Sequence, residues 1–483
     1  MPGSTINQRI LLRRITRNQT TSLMQTRRQL LKNTAVGFGS LALAGLMEQS
    51  IRAEEPNLIA RQPHFPARAK RIIFLFMHGG PSQIDTFDYK PQLEKDDDKP
   101  VPFAKPRVVS GATGNLLKSP FKFQQHGKSG MWVSEIFPHI AQHVDDLTFV
   151  KSVHGSNSRH GAALLELHTG SDTFIRPSMG SWLGYGLGNE NQNLPCYITV
   201  CPSLTHGGAN NWGSVFLPAL YQGTPIGNAG TASENAKIPF IQGATPTAIQ
   251  QLEQRMLKDI NRKHLEATGP DSELESRIKS FELAFRLQTQ APELQDISTE
   301  TAETLEMYGI NNGPTKDFGL QCLMARRFAE AGVRFIQLSH SYKWDQHGGL
   351  NGGHRNNAME VDQPIAALLT DLKQRGLLED TIVWWGGEFG RTPVSQGGRD
   401  GRDHNPHACT MFFAGGGFKP GVQYGATDEY GYYAVENKVH FHDLHATLLH
   451  QLGLDHTKLT YRYAGRDFRL TDIHGEVVHD ILS

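Results

Sequence analysis

The 483-residue sequence is poor in cysteine, with Cys196, Cys201, Cys322 and Cys409 its only four. Their spacing fits neither a zinc knuckle nor a redox motif. They read as structural, with a Cys196–Cys201 disulfide allowed and not required. Long hydrophobic runs are also missing: beyond the amino terminus no stretch reaches the ~20 apolar residues that span a bilayer. Neither charge sign dominates, with 48 Lys+Arg and 48 Asp+Glu. Residues 54–483 alone keep 40 basic and 47 acidic residues, a formal charge of −7. That balance gives no support to nucleic-acid binding through a basic surface. No Gly-x-Ser-x-Gly follows a strand, which disfavours a serine hydrolase of the nucleophile-elbow kind. There is no internal repeat, and 38% hydrophobic with 20% charged residues argue against disorder or a coiled coil.

Glycine (49) and histidine (22) are abundant, which suits a loop-rich protein compatible with metal chemistry. At the amino terminus, "TRRQLLKNTAVGFGSLALAGLM" (26–47) places paired arginines before a modest apolar stretch. It resembles a twin-arginine export signal. The expected organisation is a leader over 1–53, with Met24 an alternative start and cleavage near Ala53, then a folded part over 54–483. The location implied is periplasmic or otherwise exported, with membrane contact only through an uncleaved leader.

The run Arg71–Met77 is apolar on both faces and predicts a central strand covered on both sides. Similar runs are 147–151, 197–200, 333–338, 381–385 and 410–414, separated by helical patterns at 316–331, 357–376 and 442–453. This alternation predicts an α/β fold with a doubly wound, mostly parallel sheet and helices on both faces. Two charged amphipathic helices within 246–291 read as a helical-hairpin insertion.

Ligands in such folds gather at the carboxyl ends of the strands. There the sequence offers His78 and Asp85, "SVHGSNSRHG" (152–161), Asp345 and His347, Glu388, and then Asp403, His404 and His407. Taken singly, each suits an ordinary polar loop. Together, carboxylates mixed with imidazoles suit one or two divalent ions, Zn²⁺, Mn²⁺ or Ca²⁺. An ion would also neutralise Glu388, which follows the apolar run 381–385.

The order of these elements resembles the alkaline phosphatase superfamily. Within it the chain is most similar to an uncharacterised sulfatase-like family of exported bacterial proteins with twin-arginine leaders. "IIFLFMHGGPSQIDTFD", "VWWGGEFGRTP" and "DHNPHACTMFFAGGGFKPG" carry the resemblance. It implies metal-binding positions at Glu388 and His78, a second position near Asp345 and His347, and a metal or substrate contact near His407, with Asp403 and His404 as adjacent candidates. "SNSRHGAALLELHTG" is similar to the sulfatase nucleophile segment, but Gly155 stands where the residue that becomes formylglycine would be. Ser156 and Ser158 are the substitute nucleophiles, His154 or His160 could assist, and Arg159 would offset charge on the departing group. Arg391 would clamp an anionic oxygen or pair with Glu388. The activity implied is metal-dependent hydrolysis of a small-molecule or carbohydrate phosphate or sulfate ester, of non-formylglycine type. The alternative is an inactive exported binding or assembly protein that retains the fold.

Overall fold

The computed structural model describes residues 57–483, apart from 105–110, 240, 242–245, 270 and 397. The expected leader lies outside the described residues. Eleven strands matter here: β1 Arg71–Met77, β2 Leu147–His154, β3 Tyr197–Val200, β4 Thr224–Ile226, β5 Phe335–His340, β6 Thr381–Gly386, β7 Gly390–Ser395, β8 Arg402–Asn405, β9 Cys409–Ala414, β10 Val422–Tyr424 and β11 Val439–His440. The helices are α1 His160–Thr169, α2 Met179–Leu187, α3 Thr247–Thr268, α4 Ser272–Gln295, α5 Lys316–Glu330, α6 Leu350–Gln374 and α7 Phe441–Gln451.

The main sheet has the order β10-β2-β9-β6-β1-β5-β3-β4, with β11 alongside β2. All its pairings are parallel except those of β9, which runs against both β2 and β6. Side chains alternate across a strand, so β1 feeds two separate cores. Ile73, Leu75 and Met77 pack with α5 and α6, whereas Ile72, Phe74 and Phe76 pack with α1, α2 and α7. Continuous apolar runs are what a doubly covered strand requires, and the expected α/β sheet is the one observed. The expected hairpin forms α3 and α4. All four cysteines are free and buried. Among the described residues no helix is long and apolar enough to cross a membrane.

Two segments that read as loops are strands. Residues 390–395 and 402–405 pair antiparallel beyond the end of β6 and place His404 opposite Arg391. The turns after β1, β5 and β6 also press together. A Cβ on Gly79 (φ +116°) would meet the backbone of Trp344 and Asp345 at 2.7–2.9 Å, and one on Gly387 would meet Met77 O at 2.8 Å. Only glycine permits these approaches, and they bring three strand ends into one site.

Candidate metal centre

Glu388 is fully buried, a position that costs several kcal/mol for an unpaired carboxylate. The Gly79 N–H donates to both of its oxygens (3.1 and 3.2 Å), and His160 Nδ1–H donates to Oε1 at 2.6 Å. Burial, the largest influence, pushes this carboxyl up, but the His160 hydrogen bond together with the charges of His78 and His160 carries the pKa down to about 2. The sequence placed Glu388 on the metal. The structure gives its charge to His160, the first residue of α1.

The imidazoles of His160, His404 and His347 share one arrangement. His404 Nδ1–H donates to the Ser158 carbonyl at 2.7 Å, and His347 Nδ1–H to Gln396 Oε1 at 2.5 Å. With Nδ1 donating in all three rings, the neutral tautomer leaves each Nε2 as a bare lone pair. These three nitrogens surround Asp345. His347 Nε2 and His404 Nε2 lie 3.0 Å apart, and 3.0 and 3.2 Å from Asp345 Oδ1. His160 Nε2 lies 3.3 Å from Asp345 Oδ2. Acceptors facing acceptors at these distances need protons or a cation between them.

The titration directions follow. For Asp345, burial raises the pKa, but His160, His347, His404 and Arg391 hold it far below the carboxylate range. For His160, burial lowers the pKa, yet Asp345 and Glu388 carry it up to about 9. His347 is raised by its bond to Asp345, and His404 is lowered by burial. Asp403, fully buried, accepts from the His404 N–H at 2.8 Å and lies 3.9 Å from His347 Nδ1.

His78 is buried at the end of β1, and neither ring nitrogen has a hydrogen-bond partner among the described residues. Burial lowers its pKa to about 4. Its ring centroid lies 5.8 Å from that of His206 and 5.1 Å from that of Tyr342, and the His206 ring stacks on His160 at 4.8 Å. His206 and Tyr342 both take left-handed backbone conformations (φ 51°), which are strained for such residues.

Other expected residues have different partners. Asp85 is not near the histidines: Arg402 grips it at 2.7 and 3.2 Å in a fully buried pair. Burial raises its pKa, and the guanidinium outweighs that and lowers it. Arg391 is also fully buried. It donates to the carbonyls of Gly79, Gly80, Trp344 and Arg402 and, at 2.6 Å, to Asp345 Oδ1. It is therefore neither a free anion clamp nor the partner of Glu388. It is the residue that holds Asp345. The His407 ring packs near Tyr433 (5.2 Å) and Tyr432 (6.5 Å) and touches none of the three histidines.

Ser156 is not set up as a nucleophile. Ser156 Oγ is 3.1 Å from His440 Nε2, but His440 Nδ1 accepts the His442 N–H at 3.2 Å. The proton of a neutral His440 therefore sits on Nε2, which lies 3.3 Å from Glu166, and that nitrogen cannot take one from Ser156. Ser158 contributes its carbonyl to His404. Arg159 is exposed and precedes α1. The sequence pattern did not single out Gln396, His206 or Tyr342, and it gave His160 only an assisting role; the left-handed loop residues carry no sequence signal.

Residues 69–482 match the family described as "Protein of unknown function (DUF1501)". The chain belongs to this family. No curated protein matches it. Among solved structures, the DUF1501 chain is similar to the lipoteichoic acid synthase LtaP from Listeria monocytogenes, at 11% identity over 84% of this chain and 76% of that one, with TM-score 0.35. The PsFucS1 sulfatase from Pseudoalteromonas sp. has 12% identity, 80% and 68% coverage and TM-score 0.35. Alkaline phosphatase from the Antarctic bacterium TAB5 has 12% identity, 75% and 95% coverage and TM-score 0.30. At these values the likeness adds no weight to the site, which stands on the side chains above.

Proposed function

We propose that this protein is a metal-dependent hydrolase of phosphate or sulfate esters, exported by the twin-arginine route. One observation carries the reading. Three imidazoles, each anchored through Nδ1 to an oxygen, turn their Nε2 atoms onto the single carboxylate of Asp345. Outer hydrogen bonds of this kind orient metal-ligating histidines and raise their basicity. Four atoms bound tetrahedrally at roughly 2.0–2.1 Å would be about 3.3 Å apart. His347 Nε2, His404 Nε2 and Asp345 Oδ1 lie 3.0, 3.0 and 3.2 Å from one another, close to that spacing, and His160 Nε2 lies 3.3 Å from the other oxygen, Oδ2. His160, His347, His404 and Asp345 would hold the ion, and the imidazole-rich set suits Zn²⁺, Mn²⁺ or Fe²⁺ better than Ca²⁺. His78 and His206 offer further nitrogens for a second ion.

A bound ion of this type supplies Lewis acidity and an acidified water. The chain's own residues do the rest. Glu388 and the Gly79 N–H fix the His160 ring, Arg391 fixes Asp345, and the Ser158 carbonyl fixes His404. Because His440 Nε2 holds its own proton and cannot take one from Ser156, the attacking oxygen on this reading is water's. Arg159 is the exposed cation available to an anionic ester. The absence of a base for Ser156 also favours a second reading, an inactive metal-binding protein. The test separates them: metal-loaded protein is assayed against aryl and sugar phosphates and sulfates, with chelated protein as control. Chelator-sensitive release of phosphate or sulfate supports the hydrolase. A fully loaded protein inert to the whole panel supports the second reading.

A further inference from the structure

Helix α3 is built inside out. Its half-buried positions include Gln250, Gln254 and Asn261, with Leu265 the one large apolar residue among them. Its large apolar residues face solvent instead. Ile249, Leu252, Met256, Leu257 and Ile260, together with Phe281 on α4, are 49–71% exposed. No described side chain of α3 is buried, so this 22-residue helix draws little support from the body it belongs to. At roughly 200 Å² per large side chain, the five on α3 expose on the order of 500 Å². That is at the upper end of the apolar patches monomers carry, a size that is often functional, and is over half of the ~800 Å² each partner contributes to a stable interface.

The stripe also has an internal symmetry. At 3.6 residues per turn, Ile249, Met256 and Ile260 fall within about 40° of one another, with Leu252 and Leu257 on either side. About the midpoint between Gln254 and Arg255 the sequence matches Ile249 with Ile260 and Leu252 with Leu257. It also sets Gln250, Gln251 and Gln254 level with Asp259, Lys258 and Arg255. An antiparallel copy therefore places apolar residues level with apolar residues, and each of these three charges level with an amide. Glu253 alone is level with an apolar residue, Met256. A two-fold interface demands this self-complementarity, and like charges placed level would forbid it.

We propose that α3 is a self-association face: two copies of this chain pair through antiparallel α3 helices about a two-fold axis centred between residues 254 and 255. The pairing does not rest on the metal site or on the proposed reaction. Sedimentation equilibrium of the full chain tests it from about 1 to 100 µM, where a dimer of this kind is concentration-dependent. Met256→Glu, exposed in one copy and thus compatible with its fold, enters the seam twice and should weaken the dimer at least about a hundredfold. An Ile249→Cys, Ile260→Cys double variant should form a disulfide-linked dimer on oxidation. Within one helix those positions are about 16 Å apart, beyond the ~7 Å limit of a disulfide, and the native cysteines are buried. A chain that stays monomeric at the highest concentration overturns the proposal. So does a dimer unmoved by Met256→Glu, or a monomer that instead floats with anionic lipid vesicles.

Discussion

Two histidine clusters at the carboxyl edge of the sheet differ in one hydrogen bond, and that bond decides their chemistry. In the cluster around Asp345, each Nδ1 donates outward, to Glu388, to Ser158 and to Gln396, so three Nε2 atoms converge on one carboxylate, and without a metal the extra proton of His160, whose pKa is carried up to about 9, lies between Nε2 and Asp345. Around Glu166, His440 Nδ1 accepts a backbone N–H, so Nε2 holds the proton and points it at Glu166 and Ser156. Both clusters contain a buried carboxylate, an imidazole and a nearby serine. In the first, a metal ion would replace protons that several rings share with one carboxylate, whereas in the second a single Nε2 proton joins His440 to Glu166. Residue types alone do not separate them; the partner of the far ring nitrogen does.

The largest effect that would break this contrast is at Asp345, the one carboxylate shared by all three rings. Asp345→Ala is expected to abolish metal retention, a loss of more than about a hundredfold in affinity, measured by competition with a chromogenic chelator. Next comes acid sensitivity of the metal-free protein. The folded pKa of His78 is lowered to about 4 and that of Glu388 to about 2. Each folded group binds its proton less readily than the unfolded chain does, so stability falls with falling pH. The His78 contribution is lost from about pH 6.5 down to 4, and the Glu388 contribution from about 4.5 down to 2. For Glu388 the loss is on the order of 3 kcal/mol. Urea unfolding as a function of pH should show both windows in the parent and only the first in Glu388→Gln.

A smaller change is expected in the metal affinity of Glu388→Gln. It keeps an acceptor for His160 Nδ1–H but removes the charge, and should weaken the metal about 10- to 100-fold. The smallest effect sharpens the contrast from the other side. Ser156→Ala is expected to leave metal content unchanged and any ester hydrolysis within about twofold, because Ser156 belongs to the satisfied cluster. A loss of more than about a hundredfold would return Ser156 to the role of nucleophile.

Much of the frame was legible in the sequence because its signals are local. Runs such as Arg71–Met77 and Thr381–Gly386 announce strands covered on both faces, and polar residues just beyond them mark the edge where ligands gather. That logic pointed to Asp345, His347 and His404, which the structure brings together. It misread Asp85 because Arg402, 317 positions away, carries no mark of being its partner. It put Glu388 on a metal and did not foresee His160 as its partner, because a buried carboxylate at a strand end needs a positive charge or a hydrogen-bond donor, and sequence does not distinguish a metal from an imidazole fixed by α1. It offered Arg391 two roles, and the close packing of Gly79 against Trp344 and Asp345 supplied a third. Tautomers set by Ser158 and Gln396 depend on pairings that no spacing encodes.

The central claim, that the Nε2 atoms around Asp345 bind a metal, is tested most directly by elemental analysis with X-ray absorption at the zinc edge, on the full chain reconstituted with Zn²⁺. The expected result is one or two equivalents of zinc with mainly nitrogen ligands at roughly 2.0–2.1 Å, lost in Asp345→Ala. No zinc retained after reconstitution, or zinc retained undiminished in Asp345→Ala, would contradict it.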